Sequence, residues 1–460
     1  MGALAALSLG EVTARAQVVP AVSAPAKTVA EESTDATSCT QDVSAPRSSA
    51  TPTSTAPGQT PLDQSFECPE ERVAEESRQG FRDTKFSAQL RSFYLDGNNS
   101  NGTESEAWTL GGSAGFETGY FHNLVAFGGT GYTSQPLYAP DDKDGTRLLK
   151  PGQEGYSVLG ELYGRFLLTD EVSATVGRTA FDTPYIGRFD VRMTPNTFEA
   201  AYLQGSFGGV DNAPELRFGA GYVDKEKVRD SDDFVSMATL AGAPPGVSRG
   251  VAVAGGIYAV GDLSVGAIEY YSADIINIAY TEVKDAFALT DRLRLKLAAQ
   301  YSNQRSVGDN LLTGHEFSTE QFGAKAELAF AGALLTTAYT STGSGANIRS
   351  PWNGPVGYTN GLIGPFNRAG ENAWTLRAAY NFQYVKDLSA YAWYIRGTRP
   401  DLPTQYAPNE YDLNLQWKVT SGHLQGLTLV GIYARLSEAG PADAHTDQLR
   451  LILYYTPPWL

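Results

Sequence analysis

EYDLNLQWKV, residues 410–419, decides the fold. Tyr411, Leu413, Leu415, Trp417 and Val419 fall on one face of an extended chain. Glu410, Asp412, Asn414, Gln416 and Lys418 fall on the other, because successive strand side chains point to opposite sides. Two architectures share this pattern. A soluble sandwich turns the apolar face to its core and the polar face to water. A membrane barrel turns the apolar face to lipid and the polar face to a water-filled lumen. One strand does not separate them.

Counting outward does. From Lys85 onward, runs of about 9–13 residues alternate in this way, with tight turns and longer loops taking turns between them. The runs lie near 85–95, 105–118, 120–132, 156–168, 172–180, 196–208, 215–224, 251–260, 263–272, 276–287, 292–302, 317–329, 333–340, 373–383, 388–396, 409–419, 427–436 and 446–456. Eighteen is even, so both chain ends fall on one side. The turns at 169–171, 261–262, 289–291 and 384–387 are short, and the connections at 133–155, 225–250, 303–316, 341–372 and 397–408 are long. The pattern predicts an all-β fold: a transmembrane antiparallel barrel of about 18 strands, with short periplasmic turns and long extracellular loops. A barrel of that width leaves an aqueous channel, so the architecture itself implies a pore.

Composition agrees. The 460 residues include 48 glycines and 25 tyrosines but 2 cysteines and 3 methionines, and 11% are aromatic. Mean hydropathy is −0.26, and no run of about 18 apolar residues offers a helical span. The net charge of −16 argues against nucleic acid as a partner. Aromatics at strand ends, Tyr94, Trp108, Tyr120, Phe121, Trp374, Tyr391, Trp393, Trp417 and Tyr455, suit the interface girdles of an outer-membrane barrel.

The first residues read differently. Residues 1–16 carry an apolar stretch from Ala3 to Leu9 and then Ala14-Arg15-Ala16, as at the end of a secretory signal with its cleavage site. Residues 17–83 are rich in Ala, Pro, Ser, Thr and Glu, too poor in large apolar side chains to fold, and are expected to form a disordered periplasmic arm with a short helix near 69–78. Cys39 and Cys68 both lie in it and are expected to pair in an oxidising periplasm. The barrel then spans 84–460.

If apolar residues face lipid, parity assigns the lumen. Arg91, Arg165, Arg294, Lys296, Lys325, Arg377 and Arg450 each alternate with apolar neighbours and so point inward, as do Glu161, Glu327, Glu410 and Asp412. A cation on the lipid face at mid-depth costs about 2–4 kcal/mol. Arginines across from carboxylates set up a transverse field that attracts and orients anionic groups.

Residues 177–199 interrupt the strand pattern with Pro184 and Pro195 and crowd Arg178, Arg188, Arg192, Asp182 and Asp190 together. The stretch GRTAFDTPYIGRFDVRMTPNTFEAAYL (177–203) resembles the OprD-type outer-membrane porins. RSFYLDG (91–97), NIAYTEVKDAF (277–287), AAQYSNQRSVGDNLLTG (298–314) and GYTNGLIGPFNRAGENAWTLRAAYNF (357–382) resemble them too. The resemblance covers 84–460. It implies an eighteen-stranded barrel whose third loop, near 181–195, folds inward with help from the seventh, near 341–372. It implies passage of small, mostly carboxylate-bearing solutes. It assigns a constriction to Arg178, Arg188, Asp190 and Arg192, neighbouring loop positions to Asn367, Arg368 and Glu371, and a basic ladder to Arg91, Arg377, Arg396 and Arg450. An ion pair between loop and wall is the alternative use of Asp190 and Arg192.

The expected function is passive diffusion of small anionic or zwitterionic solutes, such as amino acids and organic acids, across the bacterial outer membrane. The partners are outer-membrane lipid and those solutes, in a homotrimer or a monomer. The alternative is a non-selective or structural barrel with an occluded lumen. An enzyme is not expected: the 4 histidines, His122, His315, His423 and His445, scatter near turns and loops, and none sits in a nucleophile motif. No metal site or cofactor is expected.

Overall fold

The computed structural model describes residues 62–66, 77–209, 213–354, 356–398, 407–438 and 444–459. The signal-like stretch, Cys39, Cys68 and nearly all of the segment read as a short helix lie outside them.

Among the described residues, eighteen strands close into one antiparallel barrel. They are β1 Lys85–Asn98, β2 Glu104–Glu117, β3 Val125–Tyr138, β4 Tyr156–Thr169, β5 Val172–Thr179, β6 Thr197–Gly208, β7 Glu215–Lys227, β8 Val251–Val260 and β9 Leu263–Ser272. They continue as β10 Ile276–Thr290, β11 Leu293–Arg305, β12 Ser318–Phe330, β13 Ala333–Thr342, β14 Asn372–Asn381, β15 Leu388–Thr398, β16 Pro408–Lys418, β17 Leu427–Glu438 and β18 Ala444–Tyr455. A two-residue strand, Val235–Ser236, pairs with the end of β7 inside a loop and is no part of the wall. Each strand pairs with its sequence neighbours, and β1 pairs with β18 to close the ring, Leu90 opposite Tyr455 and Asn98 opposite Asp447. Closure leaves no unpaired strand edge, which lipid would not tolerate.

The wall is inside out relative to a soluble protein. On β16, Tyr411, Leu413 and Leu415 are 51%, 55% and 53% exposed, whereas Glu410 and Asp412 are 0% and 1% exposed. The apolar face is therefore the outer surface and the polar face is covered from within. This choice between sandwich and barrel is the one a single strand left open.

Two local readings are corrected. The third strand begins at Val125 rather than near 120, because His122 and Asn123 adopt positive φ (53° and 54°) in a turn and break the apolar-looking run. Tyr391 and Trp393, read as girdle residues, face the lumen at 8% exposure each, while Trp108, Trp374 and Trp417 do stand on the outer face. The chain end after β18 continues the ladder briefly, Thr456 N–H donating to Gly426 O at 3.0 Å.

Inside the barrel, three apolar clusters join loops to the wall. The largest unites Tyr185, Ile186 and Trp352 with Ile268, Tyr270, Ile276, Ile278 and Tyr280 of β9 and β10. The second unites Leu148, Leu149 and Met193 with Phe93, Leu95, Ile432, Ile452 and Tyr454 of β1, β17 and β18. The third sets Phe366 against Ala373, Tyr391, Trp393 and Ile395.

Candidate constriction

The connection between β5 and β6, residues 180–196, turns into the lumen and is held at both ends. At one end Tyr185 packs edge-on to Tyr270 and Tyr280, ring centroids 5.5 Å and 6.4 Å away, and its hydroxyl bonds Ser302 on β11. The seventh loop clasps this end: Ile186 bridges to Asn353, and Gly354 N–H donates to Tyr185 O at 3.2 Å. Trp352 is fully buried behind it, its Nε1–H donating to Met237 O at 3.1 Å.

At the other end Asp190 takes a two-pronged ion pair from Arg91 on β1, at 2.6 Å and 2.9 Å. Arg91 also donates to Arg192 O and stacks on Tyr454, 4.8 Å from its centroid. In a closed ring of eighteen strands, β1 and β10 stand opposite one another. The loop therefore crosses the lumen from the β9–β11 wall to the β1–β18 wall.

The remaining loop charges sort into held and unheld. Arg188 is folded onto Asp182, its Nε–H donating to Oδ2 at 2.7 Å, and its backbone N–H donates to Oδ1 at 2.8 Å. Burial works against the charge of Arg188, yet Asp182 lifts its pKa above the ordinary value. Arg192 instead donates to backbone oxygens, Thr146 O at 3.0 Å and Val191 O at 2.9 Å. Burial, then Arg450, Arg229 and Arg147 crowding it, pushes its pKa well below the ordinary value. Arg229 is lowered to about 10 by burial and then by Arg147. Among the described residues Arg147, Arg192, Arg229 and Arg450 form no ion pair, unlike Arg188.

On the wall, the inward parity read for Arg91, Arg165, Arg294, Lys296, Arg377 and Arg450 agrees with the burial pattern. Arg450 is 1% exposed and reaches Gln448 Oε1 at 2.6 Å and Leu362 O of the seventh loop at 3.5 Å. Arg377 lies over the Tyr391 ring at 4.0 Å. Arg165 sits near Tyr163, and Arg294 pairs with Asp262 at 2.9 Å beside a short turn. Lys284 and Lys325 share one level of the wall, since Ala298 pairs with both. Glu410 faces inward but is used to hold the seventh loop, accepting from Ile363 N at 2.8 Å and Gly364 N at 2.7 Å. Arg368 and Glu371 tie that loop to itself and to Glu438, and Asn367 O accepts from Ile348 N–H at 3.0 Å.

Two assignments fail on register. Arg178 pairs across the sheet with Leu162, which is 53% exposed, and shares the face of Val176, so it points outward to Glu199 (3.0 Å) rather than into the lumen. Arg396 pairs with Trp374 and shares its outer face. Neither belongs to a lumenal ladder. For Asp190 the alternative use holds: it forms an ion pair between loop and wall, with Arg91 of β1, whereas Arg192 forms none among the described residues. Arg147, Arg229 and Trp352 went unread because they sit in loops, where no alternation marks the inward side.

Known proteins share this fold. The profile of the outer membrane porins, OprD family, matches residues 79–459. No curated protein sequence matches the chain. Among solved structures, Pseudomonas aeruginosa OccK9 (OpdG) is 21% identical over 82% of this chain and 99% of its own, with a TM-score of 0.72. A BenF-like porin from Pseudomonas fluorescens Pf-5 is 18% identical over 82% and 99%, TM-score 0.69. Pseudomonas aeruginosa OpdK, solved with vanillate, is 18% identical over 82% and 99%, TM-score 0.69. These likenesses share the closed eighteen-strand barrel. The profile match spans most of the sequence, and the chain belongs to the OprD family of outer-membrane porins, substrate-specific channels rather than enzymes.

Proposed function

We propose that loop 180–196 is the constriction of this channel and that the channel favours small solutes bearing a carboxylate, amino acids and small organic acids among them. The observation that carries this reading is the convergence of Arg147, Arg192, Arg229 and Arg450 without an ion-pair partner among the described residues. Arg450, Arg229 and Arg147 repel the charge of Arg192, Asp230 offsets part of this, and a passing carboxylate relieves the rest. The surrounding wall has a low dielectric and focuses the field. Arg377 and Lys325 continue the basic surface along the wall, Lys325 beside Glu327 at 3.7 Å. Several modest sites in series let an anion enter and also leave. OpdK is a relative solved with vanillate, which carries a carboxylate, and this supports the same chemical class.

Liposome swelling tests it, with amino acids, aromatic and aliphatic carboxylates and neutral sugars of matched size. Carboxylates should enter faster than neutral solutes of equal size, and Arg192→Ala should narrow the gap. Equal rates in the parent channel would defeat the basic-track mechanism while leaving the pore intact.

A further inference from the structure

A short piece of the N-terminal arm lies inside the barrel. Leu62–Phe66, LDQSF, forms a single tight turn, Ser65 N–H donating to Leu62 O at 3.0 Å. Leu62 is 2% and Phe66 7% exposed, and both belong to the apolar cluster that anchors Tyr185 and Ile186. A stretch expected to be a solvated arm is, over these five residues, packed against protein.

The wall residues it meets are all on the lumenal face. Gly266 of β9 alternates with Val265, which is 50% exposed to the outside, and a Cβ at Gly266 would come within 2.5 Å of Leu62 Cδ2. A Cβ at Gly219 of β7 would come within 3.2 Å of the Phe66 ring. Only glycine leaves room for side chains to approach the wall this closely. Asp63 makes an ion pair with Lys284 of β10, and Arg217 of β7 reaches Asp63 O at 3.4 Å. All four wall positions lie toward the short-turn, periplasmic end of their strands.

We propose that Leu62–Phe66 is a tethered plug: a segment of the channel's own chain that docks in the periplasmic end of the lumen, narrows the water-filled path and covers Lys284. Three kinds of contact act together: apolar side chains in glycine-lined recesses, the Asp63–Lys284 ion pair and the bond that Arg217 donates to the Asp63 carbonyl. The segment is linked to the barrel by only the residues between Phe66 and Lys85. Its local concentration at the site is therefore high, and modest contacts are enough to keep it there. This narrowing shares an apolar cluster with the anchor of loop 180–196 and does not depend on which solute passes.

The test uses the full chain with Cys39→Ser and Cys68→Ser, so that the only thiols are those introduced. In that background, Leu62→Cys with Gly266→Cys, whose Cβ would stand 2.5 Å from the Leu62 side chain, should form an intramolecular disulfide on mild oxidation, detected by mass spectrometry of unreduced peptides. A second chain carries Leu62→Gly and Phe66→Gly, which removes both apolar anchors without touching the barrel wall. Retained heat-modifiable electrophoretic mobility shows that each barrel is folded. In planar bilayers, the oxidised channel should conduct like the parent. The Leu62→Gly/Phe66→Gly channel should conduct roughly 1.5- to 2-fold more, since conduction follows the open cross-section of the path. Failure of the disulfide to form would overturn the docking. A disulfide with equal conductance in all three channels would overturn the plug while leaving the pore and its solute preference untouched.

Discussion

The two ends of the inward loop are held by different physics. Tyr185 and Ile186 are seated in an apolar cluster with Tyr270, Tyr280 and Trp352. Asp190, some residues later on the same loop, is fixed by charge to Arg91. The apolar end is indifferent to salt and takes its position from shape. The charged end places a carboxylate against the wall and leaves Arg192 facing the arginine cluster with, among the described residues, backbone oxygens as its acceptors. Position comes from one end and the sign of the field from the other.

The largest effect is expected at the charged end. Asp190→Ala removes the two-pronged ion pair to Arg91, 4% exposed, a change that costs about 3–5 kcal/mol when a buried pair loses one partner. Single-channel records should then show a noisier, larger conductance as the loop end detaches. Arg91→Met with Asp190→Leu, which removes both charges, should restore most of the parent behaviour. If the double change is as noisy as the single one, the ion pair is not what holds this end.

Next comes the apolar end. Ile186→Ala removes buried methyl groups and should cost about 2–5 kcal/mol, the usual range for such truncations. Its gating noise should be the same at low and high salt, unlike that of the Asp190 variant. Salt dependence of equal size at both ends would erase the distinction.

A smaller, selective effect is expected for Arg192→Gln. Conductance should stay close to the parent value. The anion-to-cation permeability ratio, from reversal potentials, should fall roughly three- to tenfold at low salt, and the difference should shrink as the Debye length drops to about 3 Å at 1 M. Smallest of all, Arg178→Ala and Arg396→Ala should leave stability within about 0.5 kcal/mol and selectivity unchanged, since both stand on the outer face. A selectivity change in either would return it to the lumen and contradict the register.

Much of the wall was legible because alternation is a direct consequence of strand geometry. The run read at 172–180 is β5, Val172–Thr179, and the turn read at 261–262 is Gly261-Asp262. Inward arginines were legible for the same reason: Arg91, Arg377 and Arg450 sit between lipid-facing neighbours. Arg178 and Arg396 were misplaced because their roles came from likeness to a family, whereas their own neighbours, Val176 and Trp374, pointed outward. Arg147, Arg229 and Trp352 left no trace, since a loop has no period to betray its inner side. The docking of Leu62–Phe66 was equally hidden: two apolar residues in a polar arm do not suggest burial until the glycines that receive them are brought together.

By itself, the sequence determined the strand count, the even closure, the lipid-facing side of each strand and the inward position of the wall cations. These depend on nearest neighbours along the chain. Only the tertiary structure decided which loop reaches which wall, that Asp190 pairs with Arg91 across some 100 residues of sequence, and that four arginines meet where the loop crosses. Those depend on distances set by ring closure, which brings β1 beside β18 and sets β10 opposite, and no local pattern carries that information.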